Sequence, residues 1–262
     1  MHAIEIPRSP QPADIPSIIH RHLTRGPLAN RVDALRDEFQ REQFVEIPNF
    51  MPPEVFDAAK RDVDYLLDTR GRRRDLLIPS TANTPRNYTN VGRNDVKACS
   101  LFIPPIYHCT ALRKFLSTIA GETLEDVPFL PEEYLISRLH RKGDTHGWHW
   151  DDYTYALIWV FRMPPAGQGG SLEFVRDTTW DKDKPEVQPV LDASVPLERH
   201  PPVASAYLLK ADTSMHRVSP LHHHSERVIV CFSFATEGDL AKPIAHETME
   251  LMYPETCEEK DA

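Results

Sequence analysis

The part of the chain that follows Pro131 is a succession of short runs of β-branched, aromatic and alternating residues. Gly, Pro and Asp separate the runs, which are Glu133–His140, Tyr155–Met163, Ser171–Val175, Ala204–Lys210 and Arg227–Ala235. Several short strands with such breaks are typical of a β-sandwich or a barrel, and not of a parallel βαβ sheet. The chain also contains 24 prolines. Because proline interrupts helices, this content argues against a helical bundle.

The half of the chain that precedes Pro131 shows helical spacing of its apolar residues. Three segments place these residues on one face and are predicted to be helices, namely Arg31–Gln43, Val55–Leu67 and Thr110–Ala120. A short strand is predicted at Phe44–Ile47. The polar stretch Asp68–Asp95 is too long for a passive connection and is predicted to be a lid or a binding loop.

These patterns predict an α+β chain with a mainly β core, buttressed by N-terminal helices. Its 262 residues suit one large domain, since all-β barrels and sandwiches reach about 200–250 residues undivided. The expected parts are an irregular N-terminal arm at 1–30 and a single domain at 31–262, made of a helical buttress at about 31–125, a β core at about 131–237 and a C-terminal extension at 238–262.

Composition and charge exclude several classes of partner. Lys and Arg number 30 against 39 Asp and Glu, a formal charge of −9, so no attraction to nucleic acid is expected. No run approaches the roughly 18 apolar residues of a membrane span. The four cysteines form no CxxC pair and no signal peptide is recognised, which predicts reduced thiols and a cytoplasmic location. The sequence does not determine the oligomeric state; a homodimer is the commonest closed assembly.

One group of residues carries chemistry. If His149 and Asp151 lie on extended backbone, both side chains point to one face. The candidate third ligand is His216, which follows the apolar run that ends at Lys210. Two histidines and one carboxylate that leave open positions form the facial triad of non-haem iron(II) oxygenases. Arg227, at the start of the last apolar run, suits a bidentate grip on the carboxylate of a chelating co-substrate.

With this pattern the chain resembles the Fe(II)/2-oxoglutarate-dependent oxygenases, whose fold is a double-stranded β-helix of the jelly-roll, cupin-like type. The stretch His146-Gly147-Trp148-His149-Trp150, followed by Asp152, more narrowly resembles the free-amino-acid radical halogenases and their hydroxylase relatives, typified by lysine chlorinases. Halogenases of that family carry a small residue, usually Gly, at the position of Asp151. The carboxylate of Asp151 fills the site that halide would need, so the resemblance implies hydroxylation.

The same resemblance implies a set of substrate-binding residues. They are Arg86 for the carboxylate of an amino acid, Glu132 for an amine, and His146, Asp152 and Tyr153 for other contacts. Glu133 is an alternative to Glu132, and Tyr153 stands where lysine-selective members often carry Trp. Cys231 and Ser233 stand where Asn and Thr are expected, which leaves the end of the pocket that receives the side chain open.

The expected activity is therefore hydroxylation of an unactivated C–H bond of a free L-amino acid, with Fe(II), 2-oxoglutarate and O2 as cofactor and co-substrates. The resemblance places basic amino acids first, lysine before ornithine or arginine. The same iron chemistry could instead give desaturation or cyclisation, or act on a carrier-bound or peptide substrate. A cupin-like isomerase or hydrolase without 2-oxoglutarate is disfavoured by Arg227, and a non-catalytic jelly-roll binding module is the alternative from another class.

Overall fold

A computed structural model describes residues 10–254 of the protein. Within them the helices are α1 (Ile15–Arg25), α2 (Val32–Glu42), α3 (Pro53–Arg70), α4 (Arg93–Cys99), α5 (Ile103–Tyr107), α6 (Thr110–Ala120), α7 (Val187–Ala193), α8 (Glu237–Leu240) and α9 (Glu247–Met252). Short 3-10 turns occupy Pro12–Asp14, Pro27–Arg31, Pro79–Thr81 and Leu130–Glu132. The helices predicted around 31–43, 55–67 and 110–120 are confirmed as α2, α3 and α6.

The strands of the described residues form one 12-stranded sheet in which every pairing is antiparallel. The strands are β1 (Phe44–Ile47), β2 (Arg72–Ile78), β3 (Thr84–Val91), β4 (Glu125–Asp126), β5 (Tyr134–Leu139), β6 (Thr145–His149), β7 (Tyr155–Arg162), β8 (Leu172–Val175), β9 (Leu197–Arg199), β10 (Ala206–Lys210), β11 (Met215–Val218) and β12 (Arg227–Ala235). Ten of these strands follow the order β1-β10-β7-β12-β5-β3-β6-β11-β8-β9. The other two pair outside this order, β2 with β3 and β4 with β12.

Alternation along the central strands separates a helix-facing side from a cavity-facing side. On β12, Val230 and Phe232 pack into the main apolar core together with the N-terminal helices, whereas Ile229 and Cys231 line a cavity. The neighbouring strands β5, β7 and β10 alternate in the same way, as the two-residue period of a strand requires. Residues of β6, β8 and β11 line the opposite side of this cavity, so the sheet curls around it. The predicted double-stranded β-helix with a helical buttress is confirmed.

The N-terminal segment differs from the irregular arm expected from the sequence. Residues 15–25 form the helix α1, which buries Ile15, Ile19 and Leu23 against the helical layer. These residues are four apart and therefore share one helix face. Pro16 lies in the first turn of the helix, where the missing N–H of proline costs no hydrogen bond. Residues 1–9 of the expected arm and 255–262 of the expected C-terminal extension lie outside the described residues.

The polar stretch Asp68–Asp95 is not a lid. Most of it forms the antiparallel hairpin of β2 and β3, in register from Arg72↔Asn90 to Ile78↔Thr84. The strand β3 then pairs with both β5 and β6 and so joins the two sides of the sheet. Charged residues on β2 obscured the strand pattern in the sequence because β2 is an edge strand with solvent on its open side.

No helix among residues 10–254 is both long enough and apolar enough to cross a lipid bilayer.

Candidate active site

The three predicted metal ligands meet at one end of the strands β6 and β11. His149 ends β6 and is the direct cross-strand partner of His216 on β11, which brings their ring centroids to 4.1 Å. Asp151 follows two residues after His149, and its backbone N–H donates to the carbonyl of Ala211. The Asp151 Oδ1 atom lies 3.4 Å from His149 Nε2 and 3.6 Å from His216 Nε2. Antiparallel pairing thus assembles the triad from two distant segments.

Hydrogen bonds to backbone carbonyls orient both imidazoles. His149 Nδ1 lies 2.8 Å from the carbonyl oxygen of Gly147, and His216 Nδ1 lies 2.8 Å from that of Ser214. A ring nitrogen that faces a carbonyl carries the proton, which leaves each Nε2 lone pair directed at Asp151. Gly147 is needed here, since a Cβ at this position would come within 2.8 Å of the Pro85 carbonyl oxygen on β3.

Burial keeps both imidazoles of the triad neutral but makes its carboxylate costly to ionise. It lowers the pKa of His216 to about 4 and that of His149 well below the ordinary value, so both imidazoles are neutral ligands. Burial, and then the nearby charge of Asp152, raises the pKa of Asp151 to about 7. A bound divalent cation would offset that cost by stabilising the carboxylate.

Arg227 begins β12 and is 3% exposed, with its side chain on the cavity side of the sheet. Its Nη2 donates to the hydroxyl of Tyr207 over 3.1 Å, while its buried Nε has no partner among the described residues. A buried guanidinium with a spare N–H suits a bidentate carboxylate ligand. The placement agrees with the predicted role of Arg227 in holding 2-oxoglutarate.

Arg86, on β3, is a second buried guanidinium in the same cavity. It is fully buried, and its hydrogen bonds within the described residues go to neutral oxygens of Thr81, Thr84, Pro85 and Gly147. Its Nε is also without a partner among the described residues. Burial lowers the pKa of Arg86 to about 10, which leaves the group charged at neutral pH. A substrate carboxylate would supply the missing counter-charge.

His146 lies beside both Arg86 and the triad. It faces Arg86 in the register of β3 and β6, and its ring stacks on His149 with centroids 4.0 Å apart. Burial, followed by the charge of Arg86, lowers the pKa of His146 well below its ordinary value. His146 is therefore a neutral cavity residue that offers one donor and one acceptor.

Glu132 and Asp152 form an acid pair in the cavity. Glu132 Oε1 lies 3.0 Å from His246 Nδ1, and Asp152 Oδ2 lies 3.4 Å from the same atom. Lys182 Nζ contacts Asp152 Oδ1 at 2.6 Å. Burial raises the pKa of Glu132 to about 8. Burial opposes the charge on His246, but its hydrogen bonds to Asp152 and Glu132 raise its pKa to about 9.

The structure corrects one of the substrate-binding residues implied by the resemblance, Tyr153, and decides between the alternatives Glu132 and Glu133. Tyr153 is buried but does not line the cavity; its hydroxyl accepts a hydrogen bond from the Phe129 N–H behind the wall of the cavity. Glu133, the alternative to Glu132, also lies off the cavity and binds Arg93 Nε at 2.7 Å. Tyr153 and Glu133 each follow directly after a cavity residue, Asp152 or Glu132, and their side chains leave the backbone in another direction.

Sequence reasoning missed several residues in and around the cavity. The sequence assigns His246 no role because it has no carboxylate neighbour at a useful ligand spacing, yet in the structure it contacts Glu132, 114 positions away. The others that the structure adds to the cavity are Trp180, Tyr207, Thr248, Met249, Met252 and Tyr253. Tyr207 lies in the predicted run Ala204–Lys210, but its place on the cavity side depends on how β10 pairs in the sheet. The rest come from a loop and from the C-terminal segment, which fold back over the sheet.

Comparison with protein-family models assigns the chain to a family. The model described as Halogenase D matches residues 28–254. The chain belongs to the halogenase D family. No curated protein sequence matches the chain. The match spans the helical buttress, the triad and the C-terminal segment, so it covers every site residue described above.

Several solved structures have a fold similar to that of this chain, although their sequence identity to it is low. The epimerase SnoN from nogalamycin biosynthesis has a TM-score of 0.60 at 11% identity, over 79% of this chain and 82% of that chain. AviO1 from Streptomyces viridochromogenes has a TM-score of 0.59 at 16% identity, over 81% and 97%. A Trichoplax adhaerens prolyl hydroxylase has a TM-score of 0.58 at 12% identity, over 82% and 94%.

The donor set of this halogenase D family member fits iron(II) and 2-oxoglutarate. His149, Asp151 and His216 bring their ligand atoms within 4.8 Å of one another, and this is the two-histidine, one-carboxylate set of the non-haem iron enzymes. The orphaned Nε of Arg227 fits the distal carboxylate of the co-substrate. The protein is an Fe(II)/2-oxoglutarate-dependent oxygenase, with O2 as its second co-substrate.

Proposed function

We propose that the protein hydroxylates an unactivated C–H bond of a free L-amino acid. The carrying observation is that one cavity holds the triad, two buried arginines without a carboxylate partner among the described residues, and the acid pair Glu132 and Asp152. One arginine suits 2-oxoglutarate, and the other suits a substrate carboxylate. The acid pair suits a substrate ammonium. This arrangement complements a zwitterion at both ends.

The residues of the chain divide the work between binding and positioning. When bound, Fe(II) with 2-oxoglutarate and O2 supplies oxidative decarboxylation and one oxygen atom for a C–H bond. Arg227 would hold the distal carboxylate of 2-oxoglutarate, and Arg86 that of the amino acid. Fixing both molecules decides which carbon lies next to the metal, because positioning controls the outcome of so reactive a centre.

Hydroxylation is favoured over halogenation by Asp151. Its carboxylate contacts both imidazoles, and the resemblance implies that it takes up the position that a halide would need. A free substrate is favoured over a carrier-bound one because Thr248, Met249 and Met252 of the C-terminal segment wall the cavity. Desaturation and cyclisation share all of these residues and are distinguished by the mass of the product. A cytoplasmic location and a homodimer remain predictions.

The test is anaerobic reconstitution with Fe(II) and 2-oxoglutarate, followed by addition of each proteinogenic L-amino acid and then O2. We expect a visible metal-to-ligand charge-transfer band, and with one group of amino acids succinate together with a product heavier by one oxygen atom. Lysine, ornithine and arginine are included because the resemblance places them first. Formation of succinate with every amino acid unchanged would contradict the proposal. Absence of the charge-transfer band would also contradict it, and would favour a non-catalytic binding module.

A further inference from the structure

The acid pair of the cavity already faces two positive charges that belong to the protein. Three acidic residues line the cavity within the described part of the chain, and Asp151 belongs to the triad. Glu132 and Asp152 remain to receive the ammonium groups of a substrate. The inference below rests on the proposed function and concerns the side chain of the amino acid that this pair admits.

His246 is held between the two carboxylates. Its Nδ1 lies 3.0 Å from Glu132 Oε1 and 3.4 Å from Asp152 Oδ2, and its side chain is 15% exposed. The ring of Phe129 stacks flat on the imidazole, with centroids 3.9 Å apart and planes within 4°. Apolar stacking on one side and hydrogen bonds on the other hold His246 in place behind Glu132 and Asp152, which line the cavity.

Lys182 supplies the second cation. Its Nζ lies 2.6 Å from Asp152 Oδ1 and 3.4 Å from Glu247 Oε1, and it also donates to the carbonyl of Ala245. The ammonium group lies 4.4 Å from the ring centre of Trp180, which adds a cation–π contact. Four partners fix this cation beside Asp152, so a substrate would have to break several contacts to displace it.

The protein cations therefore contact Glu132 Oε1 and both oxygens of Asp152. An α-ammonium can share a carboxylate with them, since each carboxylate oxygen accepts more than one hydrogen bond. A second substrate ammonium would add a positive charge where the acids are already matched. We propose that His246 and Lys182 are specificity-determining residues that exclude this second charge, so that the amino acid accepted has an uncharged side chain.

The remaining wall of the cavity agrees with this selection. Leu135, Met249 and Met252 line it, and Cys231 takes the place where the resemblance led us to expect Asn. These apolar residues stabilise a hydrocarbon side chain, and the acceptors beside them, such as Ser233 and Thr248, are uncharged hydroxyls. Specificity then comes from a repulsive element, the paired cations, as well as from the apolar contact. This replaces the basic side chain that the resemblance implies.

The test compares L-norleucine with L-lysine, which differ by the terminal amine of lysine. Isothermal titration calorimetry measures their binding to the protein loaded with Fe(II) and 2-oxoglutarate in the absence of O2. We expect wild-type protein to bind norleucine at least about tenfold more tightly than lysine, a factor worth about 1.4 kcal/mol. Turnover with O2 should follow the same order.

Two variants separate charge selection from apolar contact. Lys182→Met keeps the length of the side chain but removes the charge, and it should narrow the norleucine-to-lysine ratio by about tenfold. His246→Gln keeps a hydrogen-bond donor without a full charge and should act in the same direction. Lys184→Met is the matched control, because Lys184 is exposed, pairs with Glu186 on the same loop, and should leave the ratio unchanged.

The outcomes distinguish this inference from the proposed function. Tighter binding of lysine than of norleucine by wild-type protein would overturn the inference and leave amino-acid hydroxylation standing. A preference for norleucine that neither variant alters would also overturn it, since apolar contact alone would then explain selection. Failure of every free amino acid to bind, with the charge-transfer band intact, would instead overturn the proposed function.

Discussion

Arg86 shows how a single residue can be costly to the fold and useful to the site. A guanidinium that is fully buried and bonded only to neutral oxygens among the described residues has lost its hydration without gaining a counter-ion. Such a group stabilises a bound carboxylate more than it stabilises the empty protein. Under the proposed function, the position of Arg86 beside His146 would place the substrate carboxylate at this end of the cavity.

Replacing Arg86 tests this division of labour. In Arg86→Met we expect the dissociation constant of the amino acid to rise about 100-fold, since truncating one partner of a buried charge pair costs about 2–5 kcal/mol. Affinity for 2-oxoglutarate, followed by the charge-transfer band, should change little. Arg227→Met is the matched control and should chiefly weaken 2-oxoglutarate binding. Equal losses of both ligands in Arg86→Met would show that this arginine does not hold the substrate carboxylate.

Asp151 provides the second prediction at the scale of one residue. Asp151→Gly removes the only carboxylate of the triad, so the hydroxylated product should fall to background while the protein stays folded. Folding should persist because burial raises the pKa of this carboxyl, so its ionised form gains no stability from the metal-free fold. Mass spectrometry of the product and circular dichroism measure the two effects. The idea is falsified if Asp151→Gly retains full, metal-dependent hydroxylation.

The hairpin of β2 and β3 illustrates how elements are joined by buried charge. Arg73 on β2 reaches the turn after β5, where its Nη1 and Nη2 contact both oxygens of Asp144 at 2.9 and 2.8 Å. Asp144 is 1% exposed and also accepts from the backbone N–H groups of His140 and Arg141. This turn leads directly into β6, so the same contacts help to position the strand that carries His149.

Asp144→Asn should therefore destabilise the protein by about 2–4 kcal/mol at neutral pH, because it leaves Arg73 without its buried partner. Burial opposes the charge, but hydrogen bonds from Arg73 and the backbone hold the pKa of Asp144 below its ordinary value. The stabilisation is then present above about pH 4, the unfolded value, and is lost as the pH falls through the folded value. Urea unfolding at several pH values measures it; a difference between wild type and variant that persists at low pH would contradict the assignment.

At the scale of the whole molecule, the cavity links both sides of the sheet to the loops and to the C-terminal segment. Ligand binding in such a cavity should stabilise the complete fold. Fe(II) by itself, at about 100 times its dissociation constant, would add about 2.7 kcal/mol.

Differential scanning calorimetry in the absence of O2 should accordingly show a melting temperature raised by about 5–10 °C, since about 1 kcal/mol corresponds to 2–4 °C for a chain of this size. His216→Ala should abolish the increase. A similar increase in that variant would mean that the ligands bind away from the triad.

Some elements of the fold could be predicted from the sequence, and others could not. Regular spacing predicted α2, α3 and α6 and the strands that follow Pro131, because burial on one face imposes a period on the chain. The helix α1 was missed although Ile15, Ile19 and Leu23 share a face, since Pro and charged residues surround them. Edge exposure disguised β2, whose charged residues are tolerated on the open side of the sheet.

The sequence by itself determined the kind of metal site and the β-rich core. Both depend on local patterns: alternation with a period of two, and His and Asp two residues apart at a strand end. Only the tertiary structure decided which charges meet in the cavity, as with His246 and Glu132, which lie 114 positions apart. Electrostatic partners depend on distance in space and on burial, and neither has a period in the chain. The kind of metal site can therefore be predicted from the sequence, whereas the charged groups that surround the acid pair of the cavity cannot.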